Sequence, residues 1–198
     1  MLEFEDKCTI GIDLAGLSKY PTGWALLKGN VVRAKLIYTN REILESITRN
    51  APSLIAIDAS LSLPKKGEAF RKADREMVKK GYRVFSPTLP AMKKLALRAI
   101  RLNRLIEENA YKTIEVHPTS TRKALQMPVK DWETIQEVLK MLGLKGELET
   151  RPLATHEIDA VTAALTATLH LKKQTEPIGE EENCIIVPKK TNWRILIT

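Results

Sequence analysis

Cysteine is almost missing from this chain. Cys8 and Cys184 are the only two, far apart and with no spacing suited to zinc, so a zinc finger or ribbon is excluded. They read as free thiols of a reducing cytoplasm, the expected location. Aromatic residues amount to 5%, which leaves no evident stacking platform for single-stranded nucleic acid. No apolar run approaches the ~20 residues that span a bilayer, so no membrane partner is expected. The opening MLEFEDK begins acidic and lacks a basic-then-apolar leader, and secretion is not expected. Glutamine is scarce beside lysine and glutamate, a lean towards a heat-adapted source.

What is present suits one globular domain: 198 residues, 43% of them hydrophobic, are enough for a substantial core. The formal net charge of +8 favours solubility first and a polyanionic partner second.

CTIGIDLAG is β-branched and apolar and ends on Asp13, a buried strand leaving its sheet. WALLKGNVVRAKLIY is two short strands joined at Lys28-Gly29-Asn30, a hairpin. Asn40 is placed to cap a helix whose Ile43, Leu44 and Ile47 form a stripe. Pro52–Asp58 is another buried strand ending on a carboxylate. A loop follows, then a helix through FRKADREMVKK closed by Gly81, and a long amphipathic helix through 92–109 with Leu95, Ala99, Leu102 and Ile106 on one face. YKTIEVHP is a strand with Glu115 near its end. Helices are expected over 121–126, 131–142 and 156–172, with 144–152 as a linker. CIIVP is a late strand and WRILI a candidate for one more. The order is mixed α/β, with helices able to cover both faces of a sheet.

Asp13, Asp58 and Glu115 thus stand at or near strand ends, where open α/β sheets bind ligands. Asp159 lies in the first turn of an otherwise apolar helix, and burial disfavours a bare carboxylate there unless something positive meets it. His156, three residues earlier, shares its helix face. Two carboxylates about 4 Å apart repel by roughly 4 kcal/mol at an effective dielectric of 20, so a cluster of them calls for a cation. Hard oxygen ligands suit Mg²⁺ or Mn²⁺, and Asp13, Asp58, Asp159 and Glu115 are the expected ligands. Taken singly, each acid also fits an ordinary turn, cap or helix-dipole residue, and His156 a capping one.

These segments resemble a known family. Gly11-Ile12-Asp13-Leu14-Ala15-Gly16 followed by Thr22-Gly23-Trp24-Ala25 is similar to the first hairpin of RNase H-like domains. Ala56-Ile57-Asp58-Ala59 with Leu61-Ser62-Leu63-Pro64, Arg71-Lys72-Ala73-Asp74, Ile114-Glu115-Val116-His117-Pro118, His156-Glu157-Ile158-Asp159-Ala160 and Ile185-Ile186-Val187-Pro188 resemble, in order, domain-of-unknown-function family 429, described as predicted RNase H-like nucleases. The helix motif also looks like the last acidic motif of RuvC-type resolvases. The resemblance implies an α/β, RNase H-like fold: a mixed central sheet, a three-strand antiparallel meander then parallel strands, flanked by helices on both faces. Residues 1–198 would be one domain with an inserted helical segment about 65–110 and a C-terminal extension about 173–198.

It further implies two-metal hydrolysis of nucleic-acid phosphodiester bonds. Asp13 would bridge two ions, Asp58 and Asp159 would hold one each, and His156 or Glu115 would serve the attacking water or the leaving group. Resolvases of this type carry a glutamate where Asp58 stands, and Glu115 has no counterpart in them. Lys65 and Lys66 follow Asp58 closely and are expected at the phosphates, as are Arg71, Asp74 and His117 on the family pattern. Arg71 and Asp74 equally fit a helix salt bridge. Lys94, Arg98, Arg101 and Arg104 fit either a phosphate-binding or a solvated helix face. The oligomeric state is left open, a homodimer being one option. Rival readings are a non-catalytic nucleic-acid-binding protein on this fold, a small-molecule phosphoester or nucleotide hydrolase, and a relative of the sugar-kinase and actin group, for which a second domain is lacking.

Overall fold

The computed structural model describes residues 7–180 and 183–196. Its first strand, β1 (Cys8–Asp13), pairs antiparallel with β2 (Thr22–Lys28), which turns at Gly29 into antiparallel β3 (Val31–Ile37). On the other edge of β1, β4 (Leu54–Asp58) pairs parallel, and β5 (Thr113–Val116) pairs parallel with β4. Short β6 (Lys145–Gly146) and the hairpin of β7 (Thr175–Glu180) and β8 (Asn183–Pro188) complete one eight-stranded sheet, in the order β6-β3-β2-β1-β4-β5-β8-β7. The meander followed by parallel strands is the expected fold class.

Strand alternation divides the core. Ile10 and Ile12 of β1, Trp24 and Leu26 of β2, and Ile55 and Ile57 of β4 pack on one face with Ile43 and Ile47 of α1 (Asn40–Asn50) and Ala99, Leu102 and Ile106 of α3 (Pro90–Glu108). The residues between them face α7 (Thr155–Leu171), which is buried almost all round. Its buried threonines satisfy their hydroxyls within the helix: Thr162 and Thr166 donate to the carbonyls of Ile158 and Thr162, both at 2.9 Å. That lets a helix bearing polar atoms lie in an apolar layer without unpaired groups. α5 (Trp132–Met141) and α4 (Pro118–Ala124) lie beside it, and α2 (Lys72–Lys79) covers the β7–β8 edge.

Several expectations are corrected in detail. Thr39, not Asn40, caps α1: its hydroxyl accepts from the Glu42 N–H at 3.2 Å, and the Glu42 carboxylate accepts from the Thr39 N–H at 2.7 Å, a reciprocal capping box. Within WRILI, Trp193–Leu196 form a single 3₁₀ turn with Trp193 anchored in the core, and Ile197 lies outside the described residues. The 144–152 linker contains β6 and a one-turn helix, α6 (Glu147–Thr150). In the C-terminal part of the chain β7 and β8 form a hairpin, and β8 pairs directly with β5.

Candidate active site

Two glycines set the position of α7 against the sheet. A Cβ on Gly11 of β1 would lie 2.0 Å from the Ala160 carbonyl oxygen, and one on Gly23 of β2 would lie 1.9 Å from that of His156. Only a residue without a side chain permits such approach between helix and strand backbones. The first turn of α7 is thereby pressed onto the C-terminal end of β1. The N-terminal end of the helix is held separately. Glu157 accepts from the Ala154 N–H at 2.8 Å and from Arg151 at 2.7 and 2.9 Å.

Asp13 and Asp58 are register partners across parallel β1 and β4, so both carboxylates leave the sheet at the same end and on the α7 side. Asp13 Oδ2 lies 2.5 Å from His156 Nδ1. That hydrogen bond raises the imidazole above its ordinary pKa. Among the described residues nothing donates to the Asp58 carboxylate. Burial, with Asp13 and then Asp159 nearby, pushes its pKa well above the usual carboxylate range.

The positive group that meets Asp159 is Arg122 of α4. Its Nη1 donates to Asp159 Oδ1 at 2.5 Å and to Thr162 Oγ1 at 3.3 Å, and its Nη2 to Thr119 Oγ1 at 3.4 Å. The Arg122 side chain has no solvent exposure, and its guanidinium carbon lies 5.3 Å from the centre of the Trp132 ring. Burial still holds the Asp159 pKa above its ordinary value, with Arg122 opposing.

Glu115 points to the other face. In the β4–β5 register it pairs with Ile57, not Asp58, and it meets Arg71 on the α2 side. Arg71 donates to both Glu115 oxygens, at 2.7 and 2.6 Å, and to both Asp74 oxygens, at 3.1 and 2.7 Å. The Leu61 N–H adds a bond to Glu115 Oε2 at 2.8 Å. All three side chains are buried. Arg71 and Asp74 therefore form the helix ion pair and extend it to Glu115, and neither is a free surface group. A cleft of about 200 Å³ runs over the sheet end and is lined by Asp13, Asp58, Glu115, Arg71, His117 and Phe85 among others. His117 is bonded through Nδ1 to Ser120 Oγ at 2.6 Å. Burial, and the charge of Arg122, lower its pKa to about 4, so it is neutral at pH 7.

Lys65 and Lys66 are exposed, and Lys65 lines an adjoining cleft that shares Arg71 with this one. Lys94, Arg101 and Arg104 are exposed on α3. Arg98 is instead tied down, donating to Asn40 Oδ1 at 2.9 Å and to the carbonyls of Ala15 and Tyr38, each at 2.7 Å.

Among the described residues no three acid, histidine or cysteine side chains are grouped as they would be around a metal ion. The donor set nevertheless fits one hard cation at Asp13 and Asp58. Mg²⁺ is ordinarily held by one or two carboxylates, with waters and phosphate oxygens filling its shell, and among the described residues the Asp58 carboxylate accepts no hydrogen bond and has Arg122 as the cation that lowers its pKa. Glu115 does not join them, because both its oxygens are committed to Arg71, whereas Asp159 is bonded to Arg122 through Oδ1 alone. Arg122 is the site residue that sequence reasoning passes over. It sits in Thr119-Ser120-Thr121-Arg122-Lys123, a polar run with no apolar stripe to mark an inward face; the acid without a partner at Asp159 was the one available signal.

A family model described as "Protein of unknown function (DUF429)" matches residues 11–183. Among solved structures, the chain is similar to T. thermophilus RuvC in complex with a Holliday junction substrate, at 18% identity and a TM-score of 0.53, covering 84% of this chain and 96% of that one. A second Thermus thermophilus RuvC structure gives 18% identity and a TM-score of 0.50 over the same shares. No curated protein matches. The structural likeness establishes an RNase H-like fold.

Proposed function

The chain belongs to the DUF429 family, and from that premise and the geometry above we propose that it is a divalent-metal-dependent nuclease, hydrolysing nucleic-acid phosphodiester bonds at the end of β1 and β4. The observation that carries the reading is the Asp13–Asp58 pair: two carboxylates in register, one of them with no hydrogen-bond donor among the described residues, on a fold shared with RuvC. Such a pair is unfavourable in the resting protein and suits a site that binds a cation. Asp13 and Asp58 would hold Mg²⁺ or Mn²⁺, which when bound would supply Lewis-acid polarisation of a phosphoryl oxygen and a water of lowered pKa.

The chain's own residues do the rest. Asp13 accepts from His156, which keeps the imidazole at the rim of the cleft with its side chain half exposed. From there its second ring nitrogen can hydrogen-bond a phosphate oxygen or hold a proton for the leaving group. Arg71 binds Glu115 and Asp74 and so fixes the loop after β4, through the Glu115 bond to the Leu61 N–H. Lys65 and Lys66 extend from that loop as phosphate contacts, and the net charge of +8 favours a polyanion.

The test is Mn²⁺-dependent cleavage of a panel of branched, RNA–DNA hybrid and single-stranded nucleic acids by the full chain. Cleavage that Asp13→Asn abolishes while leaving the fold intact is expected. No cleavage of any panel member by folded protein would refute catalysis. Binding should weaken steeply with salt as counterions are released; a flat salt dependence would point instead to a small phosphoester.

A further inference from the structure

We infer that Phe85 stacks on a base of the substrate, so that the chain acts beside an unpaired nucleotide and not within a continuous duplex; the inference rests on the nuclease reading above and narrows its substrate. The cleft over the sheet end has two unlike kinds of lining. Asp13 and Asp58 supply the acids, and Val84, Phe85, Met92 and Leu95 supply an apolar surface. Arg71, which also lines it, is spent on Glu115 and Asp74. At about 200 Å³ the cleft is smaller than the roughly 300–1,000 Å³ of pockets that enclose drug-sized ligands, and it suits one flat group. In a nucleic acid the flat apolar group is the base. Within a duplex both faces of each base are covered by its neighbours, so only a base out of the stack has a face to offer.

Phe85 is 61% exposed, although the segment that carries it is pinned on both sides. Tyr82 is buried with Ala73 and Met77. Ser86 Oγ donates to the Ala69 carbonyl at 2.6 Å and accepts from the Thr88 N–H at 3.2 Å. The ring is thus held at the cleft and kept out of the core. An aromatic ring stacks on bases of any identity, because every base has a π-face. The Arg83 guanidinium carbon lies 6.0 Å from the ring centre, at the limit of cation–π contact. Arg83 is exposed, and among the described residues no carboxylate pairs with it. It therefore sets a positive charge beside the ring, suited to a phosphate of the stacked strand. Few aromatics exclude a platform for a whole strand, but one base needs only one ring.

The experiment measures the affinity of the full-length chain, with Ca²⁺ in place of Mn²⁺, for single-stranded DNA and RNA of one sequence and for their fully paired duplexes. Cleavage of the same nucleic acids with Mn²⁺ is scored alongside. The native chain should bind a single strand more tightly than the duplex. Phe85→Ala should weaken single-strand binding by roughly 5- to 150-fold, the loss of one base–aromatic stack, and leave duplex binding unmoved. Phe85→Trp should keep the native affinity and add a tryptophan emission that single strands quench. Native single-strand affinity in Phe85→Ala, an equal loss on single strand and duplex, or tighter native binding to the duplex would overturn the stacking role, while Mn²⁺-dependent cleavage would leave the nuclease reading standing. A fall in sedimented mass in Phe85→Ala would assign the ring to a contact between copies of the chain and overturn it as well. Neither binding nor cleavage of any of these nucleic acids would overturn both.

Discussion

Replacing Gly23 with alanine places a methyl carbon 1.9 Å from the carbonyl oxygen of His156 and 2.4 Å from its carbonyl carbon. Ordinary contact begins at 3.4 Å, so the first turn of α7 must lift by about 1.5 Å, the difference between 3.4 and 1.9. Both obstacles are backbone atoms, and no side-chain rotation relieves them. Overpacking a core costs about 1–3 kcal/mol, and a backbone clash of this depth belongs at the upper end. For a chain of this size, roughly 3 kcal/mol lowers the melting temperature by about 6–12 °C. The lift also separates His156 Nδ1 from Asp13 Oδ2, now 2.5 Å apart. That bond is the main cause of the raised His156 pKa, so the imidazole should return towards its ordinary value of about 6.5.

The chain has three histidines, and burial lowers both others, His117 to about 4 and His170 less far. His156 is therefore the single histidine expected above the ordinary value in a proton NMR titration. Its raised folded-state pKa means that the Asp13 pair stabilises the protein fully below about pH 6.5 and ceases to do so as pH rises through the folded value. Gly23→Ala should abolish that contribution. A variant that melts at the native temperature with its highest histidine pKa unmoved would refute the close packing that builds the site.

Two further variants report on the buried charges. Arg71→Met strands Glu115 and Asp74 and should destabilise by about 3–5 kcal/mol in urea unfolding, and Glu115→Gln in the same chain should recover part of that loss; no loss would mean the triad is solvated. Asp58→Asn should stabilise the metal-free protein near pH 7. The raised Asp58 pKa makes its ionised form a cost that grows as pH rises from the ordinary carboxylate value through the folded one and is absent at lower pH. Thermal melts at acidic and neutral pH measure this, with a gain at both alike as the contrary result. Mn²⁺ at a hundred times its dissociation constant should then stabilise the native chain by about 2.7 kcal/mol and leave Asp58→Asn unmoved.

The parts of the fold that could be read in advance are those where one physical requirement dominates. β1 and β4 are runs of Ile, Thr and Ala that suit a buried parallel strand, and each stops where a carboxylate forces the chain out of the sheet. α3 announces itself by a stripe at helical spacing. β7 does not: Thr175–Glu180 contains Pro177 and Gly179, residues that weaken a strand, and it exists because it is an edge that pairs with β8 and packs Ile178 against α2. The placement of Glu115 was hidden for a related reason. Position along a strand says which end a residue occupies, but the face depends on register against the neighbour, and one residue of shift moves a side chain to the other side of the sheet. Glu115 stands opposite Ile57, and so faces Arg71.

The same distinction governs the charges. A carboxylate in the first turn of an apolar helix demands a cation, and Asp159 has one, but the demand does not say which. A metal and an arginine satisfy it equally in sequence, because Arg122 is remote along the chain and lies in a helix too short to show which way it faces. Tertiary structure separates the cases. Asp159 and Glu115 each meet a guanidinium delivered by an element outside the central strands, α4 in one case and the segment before α2 in the other. Among the described residues Asp13 pairs with the titratable His156, and Asp58 accepts no hydrogen bond and feels Arg122 only as a nearby charge. Fixed arginines thus pair with the outer acids, while Asp13 with its histidine and Asp58 without a donor lie at the β1–β4 junction, beside the cleft.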